Sequence, residues 1–187
     1  MRIVIYYLIV FWTISGWSHD TELKLYRPFG GAENQVTPLV KNTLRGSCTE
    51  QSKLIKREDA WQCHVKDTLY DPCFIQTHRA SPHKAICPQS PWMEESVQIE
   101  VPTAVNNSNF VSLDMSQAYP WAVELKNGEK CEAIISHEII DGMRVRYRCN
   151  NKTVLFGHLQ RCKPAWSLLQ NTQEGDIKIV SIYRAWF

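Results

Sequence analysis

The residues with the greatest chemical potential in this chain are its cysteines. Seven are present: Cys48, Cys63, Cys73, Cys87, Cys131, Cys149 and Cys162. Closely spaced thiols can bind a soft metal ion, act as nucleophiles or pair as disulfides. The redox compartment decides among these uses, because disulfides form and persist mainly in oxidising environments.

The N-terminal residues have the pattern of a secretory signal peptide. Arg2 supplies a positive charge, residues 3–14 form an apolar run, and small residues precede a cleavage point before His19. An apolar run of about 12 residues is typical of such a leader, whereas a membrane span needs roughly 20. We therefore predict a signal peptide over residues 1–18, a periplasmic or secreted protein, and no membrane insertion after cleavage. A retained N-terminal anchor is the alternative.

Six of the cysteines fall into three short-range pairs. Six thiols allow 15 pairings, and the spacing favours one of them: Cys48–Cys63, Cys73–Cys87 and Cys131–Cys149. Closing a loop of about 15 residues by a disulfide stabilises a domain by roughly 3 kcal/mol in the chain-entropy model. Cys162 remains as a free thiol, which we interpret as half-buried and inert. An intermolecular disulfide or a nucleophile are the alternatives for this residue.

The third pairing agrees with the alternation of side chains in two predicted strands. In the segment 143–149, Val145, Tyr147 and Cys149 share one face and the arginines share the other. Pairing Cys131 with Cys149 in an antiparallel ladder sets Ala133 against Tyr147, Ile135 against Val145 and Glu132 against Arg148. All the apolar candidates then lie on one face, which supports this bridge.

The hairpin before Cys131 has two possible registers. A two-residue turn at Asn127-Gly128 would place Glu124 opposite Cys131, whereas a three-residue loop over 126–128 places Val123 there. Burial favours the second register, with Gly128 in the left-handed conformation.

Three other arrangements could bind a metal or catalyse a reaction. The spacing of Cys73, His78, His83 and Cys87 would suit zinc, but in an exported chain the two thiols are expected to be oxidised. His158 and Cys162 share a strand face but would be about 13 Å apart, which is too far for a nucleophile and its base. An N-terminal His19 could clamp copper, without other support. We predict no catalytic residue, no metal and no cofactor.

Two groups of charged residues are the candidate binding residues. Arg57 and Asp59 lie in the loop that a Cys48–Cys63 disulfide would close, and they are interpreted as a ligand-binding pair or a structural ion pair. Arg144, Arg146 and Arg148 form a cationic ladder on one strand face. A solvated outer face with pairs such as Arg148–Glu132 is the alternative for the ladder.

The strand pattern predicts a mainly β protein. Residues 95–187 contain closely spaced strand patterns separated by turn signals, which favours an antiparallel meander curled into a small barrel or sandwich. Residues 45–92 are predicted to be a disulfide-stapled, loop-rich segment, and residues 19–44 an extended N-terminal arm. Residues 45–187 would thus form a single domain.

The cysteine-centred motifs resemble those of a family of small secreted bacterial proteins whose activity is uncharacterised. The resemblance covers the chain from Gly46 to the C-terminus and is carried by several motifs in order: Gly46-Ser47-Cys48, Asp59-Ala60, Cys63, Asp71-Pro72-Cys73-Phe74, Cys87-Pro88 and Pro120-Trp121. It implies export from a bacterium and disulfide pairing. It brings no catalytic residues, and Cys162 lies outside the shared pattern.

The charge balance limits the classes of partner. The formal net charge is only +2, which argues against nucleic acid, since such binding is dominated by basic patches. We expect an exported, non-catalytic binding module for a protein or glycan. The alternatives are a small secreted hydrolase, which would need His64, His137 or His158 beside Asp59 or Asp71, and an enzyme inhibitor that presents a stapled loop.

Overall fold

The computed structural model describes residues 20–30, 38–77, 83–103, 105 and 110–187. The predicted signal peptide lies outside these residues, as do His19 and His78. Within the described ranges the regular structure consists of strands. These are β1 (Glu22–Lys24), β2 (Leu39–Arg45), β3 (Ser47–Gln51), β4 (Ala60–Val65), β5 (Thr68–Ile75), β6 (Lys84–Pro88), β7 (Glu95–Glu100), β8 (Ala122–Leu125), β9 (Lys130–Ala133), β10 (Ile139–Ile140), β11 (Met143–Cys149), β12 (Val154–Gln160), β13 (Ser167–Asn171) and β14 (Ile177–Trp186).

The C-terminal strands form a closed antiparallel barrel. Neighbouring strands follow the order β8, β9, β11, β12, β13 and β14, and β14 pairs with β8 to close the ring. Two short strands extend this sheet, β1 parallel to β14 and β10 antiparallel to β11. The mainly β prediction is confirmed, and the architecture left open between barrel and sandwich is a barrel. Its interior is filled by large buried side chains, among them Trp121, Tyr147, Leu155, Leu168 and Ile182.

The predicted register around the third disulfide is confirmed. Cys131 pairs with Cys149, Glu132 with Arg148 and Ala133 with Tyr147, and the sulfurs of the two cysteines are bonded. The predicted place of Ile135 opposite Val145 is wrong, because β9 ends at Ala133. Ile135 is therefore 50% exposed instead of joining the core.

The hairpin between β8 and β9 adopts the predicted bulged form. Val123 faces Cys131, and Gly128 has a φ of 84°. The N–H of Leu125 donates to the carbonyl of Glu129 at 2.8 Å, which encloses the three-residue loop.

The N-terminal strands form a second sheet that curls back on itself. Its strand order is β2, β7, β6, β5, β4 and β3, yet β2 and β3 are consecutive and separated only by Gly46. One continuous segment thus pairs with β7 through its first half and with β4 through its second. A Cβ on Gly46 would lie 2.3 Å from the carbonyl oxygen of His64. Only glycine fits where the two edges of the sheet meet.

The other two predicted disulfides join neighbouring strands of this sheet. Cys48–Cys63 links β3 to β4, and Cys73–Cys87 links β5 to β6. The sulfurs of Cys63, Cys73 and Cys87 lie within 4.8 Å of one another. The two bridges therefore form part of one buried core.

The disulfide-stapled segment over residues 45–92 is more regular than its sequence suggests. It contains four strands, β3 to β6, in place of the predicted loops. The first four residues of β4 are all buried, because one side of the strand faces the curled sheet and the other faces the barrel. A strand buried on both sides loses the alternation that would identify it.

Aromatic side chains connect the barrel to the curled sheet. The ring of Phe74 in β5 lies 5.9 Å from that of Trp121 beside β8, and Tyr26 packs on both, at 5.1 Å from Phe74 and 5.5 Å from Trp121. The described part of the predicted arm is thus docked, and it contributes β1 and most of β2 to the sheets.

Candidate functional site

Arg57, which is buried, and Asp59, which is partly exposed, form an ion pair in the loop between β3 and β4. The Nε of Arg57 donates to Oδ1 of Asp59 at 2.5 Å, and its Nη2 donates to Oδ2. Its Nη1 donates to the backbone oxygen of Phe187 at 2.7 Å, and the guanidinium lies 4.7 Å from the centroid of Phe74. Arg57 is only 3% exposed, so this side chain braces the loop against the C-terminal strand.

A cavity of about 230 Å³ adjoins this pair and is lined in part by Phe29 and Leu113. All three guanidinium nitrogens of Arg57 already donate to protein oxygens, and the carboxylate of Asp59 accepts two of those bonds. This geometry favours the structural interpretation of the pair over the ligand-binding one.

Asp71 orders the chain that follows β3. Its carboxylate accepts hydrogen bonds from the Oγ of Ser52, from the backbone N–H of Lys53 at 3.0 Å and from the Nε2 of Gln62 at 2.8 Å. The Oγ of Ser52 in turn accepts the N–H of Ile55 at 3.1 Å. This network shapes residues 52–56 without regular secondary structure and fixes the direction of the side chains in between.

Two arginines of the predicted ladder are held in place by backbone oxygens. The Nε of Arg144 donates to the carbonyl of Ser136 at 2.8 Å, and the Nε of Arg146 donates to the carbonyl of Gly157 at 2.8 Å. The guanidinium carbon of Arg146 also lies 3.9 Å from the ring centroid of Tyr119. Both guanidinium groups thus have defined positions on the outer face of β11.

Arg148 differs from Arg144 and Arg146, because no hydrogen bond of its side chain is described. It faces Glu132 in the register, but among the ion pairs of the described residues there is none between them. Desolvation raises the pKa of Glu132, which is opposite to the shift that a close arginine would cause. The predicted Arg148–Glu132 pair is therefore not present.

Arg144 and Arg146 form one wall of a groove between the barrel and the curled sheet. Lys53 and Lys56, from the segment ordered by Asp71, form the opposite wall. We call this feature, about 410 Å³ in volume, the cationic groove. Its remaining described lining is mostly apolar: Leu54, Ala118, Tyr119, Ala133, Ile134, Ile135, Val145 and Tyr147, with the single amide of Gln117.

The cationic groove is electrostatically one-sided. No Asp or Glu is among its described lining residues. Lys53 has one acidic partner outside this lining, Glu50, whose Oε2 lies 3.5 Å from the Nζ of Lys53, with both side chains more than half exposed. An exposed pair of this kind is worth at most about 1 kcal/mol, so a ligand carboxylate can displace it.

The sequence predicts two of the four cationic residues of this groove. Arg144 and Arg146 were candidates because they alternate on a strand, whereas Lys53 and Lys56 carry no sequence signal that links them to that strand. Their approach depends on how the two sheets pack. The structure does not bring Arg57, Asp59 or Arg148 into the described lining of the groove.

The histidines do not assemble the site that the hydrolase alternative needs. His64, His137 and His158 are all exposed. The carboxylates of Asp59 and Asp71 are occupied by the partners given above, and none of the three histidines has a described hydrogen bond or ion pair with them. Tyr147 cannot ionise readily, because complete burial raises the pKa of its hydroxyl, which donates to the carbonyl of Pro120 at 2.8 Å.

The other candidate thiols and metal ligands among the described residues are Cys162, Cys73, Cys87 and His83. Cys162 is a free thiol, but it is exposed instead of half-buried. Cys73 and Cys87, the sulfur ligands of the zinc-like spacing, are bonded to each other. His83 lies with Nδ1 3.2 Å from the carbonyl of Val101.

The disulfides bear on the compartment in which the chain folds. Three intramolecular disulfides indicate that the chain folds in an oxidising environment. The described part of the chain has no helix with the length and apolar character needed to cross a bilayer.

Comparisons with protein-family models, curated proteins and solved structures found no match to this chain. The resemblance to a family of secreted bacterial proteins therefore stays a prediction.

Proposed function

We propose that this chain is an exported, non-catalytic binding module that recognises an anionic ligand, protein or glycan, in the cationic groove. One observation carries the proposal. Four cationic side chains line a single groove whose described lining contains no carboxylate. Fixed charges of one sign beside a low-dielectric wall concentrate the electric field and attract an oppositely charged partner.

The clustering is a local property of the surface. The whole chain carries a formal net charge of only +2, so its average field attracts anions weakly. Lys53 and Lys56 come from the segment between β3 and β4 of the curled sheet, and Arg144 and Arg146 come from β11 of the barrel. If these four residues were only part of a solvated outer face, an anionic ligand would bind them no more tightly than it binds other exposed lysines.

The proposed location is the periplasm or the exterior of a bacterium. The signal-peptide pattern of residues 1–18, the three disulfides and the resemblance of the cysteine motifs all support it. A binding role is also consistent with the positions of the histidines, since none lies with a carboxylate in the described contacts.

A charge-reversal pair tests the proposal. The probes are poly-L-glutamate and heparin, and dissociation constants are measured by isothermal titration at two salt concentrations. Arg144→Glu reverses a groove charge, whereas the control Lys178→Glu makes the same change in net charge at an exposed site on β14 outside the groove. Both variants are first checked for native thermal unfolding.

We expect at least one probe to bind, with affinity falling as salt rises. Arg144→Glu should weaken that binding about tenfold or more, and Lys178→Glu by less than about threefold, because a contact charge outweighs a distant one in salt. Equal weakening by the two variants would show that only net charge matters, and no binding to either probe would contradict the proposal.

A further inference from the structure

We propose that the ligand of the cationic groove is an extended acidic polypeptide segment with apolar side chains between its carboxylates. This inference rests on the function proposed above and identifies the class of ligand. Three features of the groove support it. The arginines have the spacing of alternate residues in an extended peptide, the lining includes apolar surface, and the rings of Tyr119 and Tyr147 are covered or buried.

The spacing of the arginines matches an extended peptide. Arg144 and Arg146 are two residues apart on β11, so their backbone positions are separated by about 7 Å. Acidic residues at alternate positions of an extended partner chain repeat at the same distance. The intervening side chains of such a chain would point away from the arginines, toward the apolar surface or the opposite wall.

Each arginine is oriented but retains donors for a carboxylate. In the described contacts only Nε of Arg144 and Nε of Arg146 donate to protein oxygens. The two terminal nitrogens of each guanidinium are then available to form an end-on, bidentate pair with a carboxylate. Less side-chain entropy remains to be lost on binding, because one backbone bond already orients Arg144, and a backbone bond together with the ring of Tyr119 orients Arg146.

The surface between the two walls is apolar and accessible. Ile135 is half exposed beside Arg144, and Leu54 and Ile134 are only partly buried. A purely ionic ligand would leave this apolar area in water. A ligand that also carries leucine- or valine-like side chains would cover it and gain about 25 cal/mol for each Å² of apolar surface removed from water.

The aromatic residues argue against a glycan. Sugars commonly stack on an exposed aromatic face, but the ring of Tyr119 is covered by Arg146 at 3.9 Å and approached by Arg161 at 5.7 Å. Tyr147 is fully buried. Gln117 supplies the single side-chain amide in the described lining, so the groove has few of the neutral hydrogen-bonding groups that would read sugar hydroxyls.

The test compares three probes on the folded, oxidised protein by fluorescence anisotropy. The first probe is a labelled eight-residue peptide that alternates Glu and Leu, and the second alternates Glu and Ser with the same charge. The third is a labelled heparin octasaccharide. Ile135→Ser removes apolar surface from the groove, and Ile179→Ser is the matched control, because Ile179 is even more exposed and lies on β14 outside the groove.

We expect the Glu-Leu peptide to bind about tenfold more tightly than the Glu-Ser peptide. Ile135→Ser should reduce this preference at least threefold, and Ile179→Ser should leave it unchanged. Equal affinity for the two peptides, or tighter binding of the octasaccharide than of either, would overturn the inference while leaving anion binding intact. Failure of all three probes to bind would instead contradict the proposed function itself.

Discussion

The central carbon of the Arg146 guanidinium lies 3.9 Å from the ring centroid of Tyr119. The same side chain donates through Nε to the carbonyl of Gly157. Two contacts of different kinds therefore hold one cation on the outside of the barrel. An ammonium group could not reproduce both, because it lacks the planar surface and the separate Nε donor.

Arg146→Lys should lower the free energy of unfolding by about 1 kcal/mol through loss of the stacking and of the Gly157 bond. Urea denaturation measures the change. Arg148→Lys is the matched control, because Arg148 is exposed on the same strand and has no described ring contact. A cost for Arg148→Lys as large as that for Arg146→Lys would contradict the role assigned to the stack.

Only one thiol per chain should be accessible to Ellman's reagent. The structure has three disulfides and one exposed free cysteine, Cys162. Native protein and protein unfolded without reductant should therefore give the same stoichiometry, and Cys162→Ser should give no reaction. Additional thiols on unfolding would show that a bridge is missing. No native reaction, with a doubled mass on a non-reducing gel, would instead indicate that Cys162 bridges two chains.

Replacement of Arg57 should destabilise the protein strongly. Arg57→Met leaves the carboxylate of Asp59 without its partner and frees the backbone oxygen of Phe187, and we expect a loss of about 3 kcal/mol. A double-mutant cycle with Asp59→Asn, followed by urea denaturation, measures the coupling between the two residues. Arg144→Met should cost less than about 0.5 kcal/mol because it is exposed. If the effects of Arg57→Met and Asp59→Asn on the free energy of unfolding were additive, the ion pair between these two residues would not stabilise the protein.

Because Tyr26 is buried, we expect the free energy of unfolding to fall in strong alkali. Burial raises its pKa to about 12, whereas an unfolded tyrosine ionises near pH 10. From about pH 10 upward the unfolded state releases this proton first, so the free energy of unfolding falls as the pH rises toward 12. Tyr26→Phe should make this fall smaller without abolishing it, since the pKa of Tyr147 is also raised.

The measurement for Tyr26 is urea denaturation between pH 8 and 12. A Cys162→Ser background suppresses exchange between the free thiol and the disulfides. At neutral pH the Tyr26→Phe change should cost almost nothing, because the buried hydroxyl has no described hydrogen-bond partner. An alkaline profile that is identical with and without Tyr26 would contradict its buried state.

Gly46→Ala should lower the free energy of unfolding strongly, although it adds only one methyl group. The new Cβ would lie 2.3 Å from the His64 carbonyl oxygen and 2.9 Å from a methyl of Val65. Backbone must move to relieve this contact, and we expect a cost of about 3 kcal/mol in thermal or urea unfolding. Ser47→Ala, at the next and exposed position, should change stability by less than about 0.5 kcal/mol. A neutral Gly46→Ala would mean that the two sheet edges are further apart.

Strand register was predictable wherever two independent signals agreed. Val145, Tyr147 and Cys149 alternate with arginines, and the bond from Cys149 to Cys131 is compatible with only one alignment that buries them together. Ile135 was misplaced because alternation says which side of a strand a residue faces but not where the strand ends. Strand β9 ends at Ala133, and its last hydrogen bond to β11 runs from the N–H of Ile134 to the carbonyl of Arg146, so the pairing stops just before the position at which burial was expected.

The cationic groove could not be predicted, because tertiary packing creates it. Lys53 and Arg144 are far apart in the sequence, and neither has a local pattern that points to the other. They meet because Phe74 and Tyr26 pack against Trp121 and dock one sheet on the other. Likewise the strands of residues 45–92 were hidden, since β4 is buried on both sides and lacks alternating polarity.

The parallel ladder between β1 and β14 has a consequence for the order in which the molecule can form. Residues 22–24 pair with residues 184–186, so the first described strand needs a partner that lies 162 residues further along the chain. Contacts of such high sequence separation slow folding, because a long loop must close before they yield any stabilisation. A nascent chain therefore holds Glu22–Lys24 unpaired until β14 has been synthesised, and a chain cut short before β14 would have neither this ladder nor a sealed barrel.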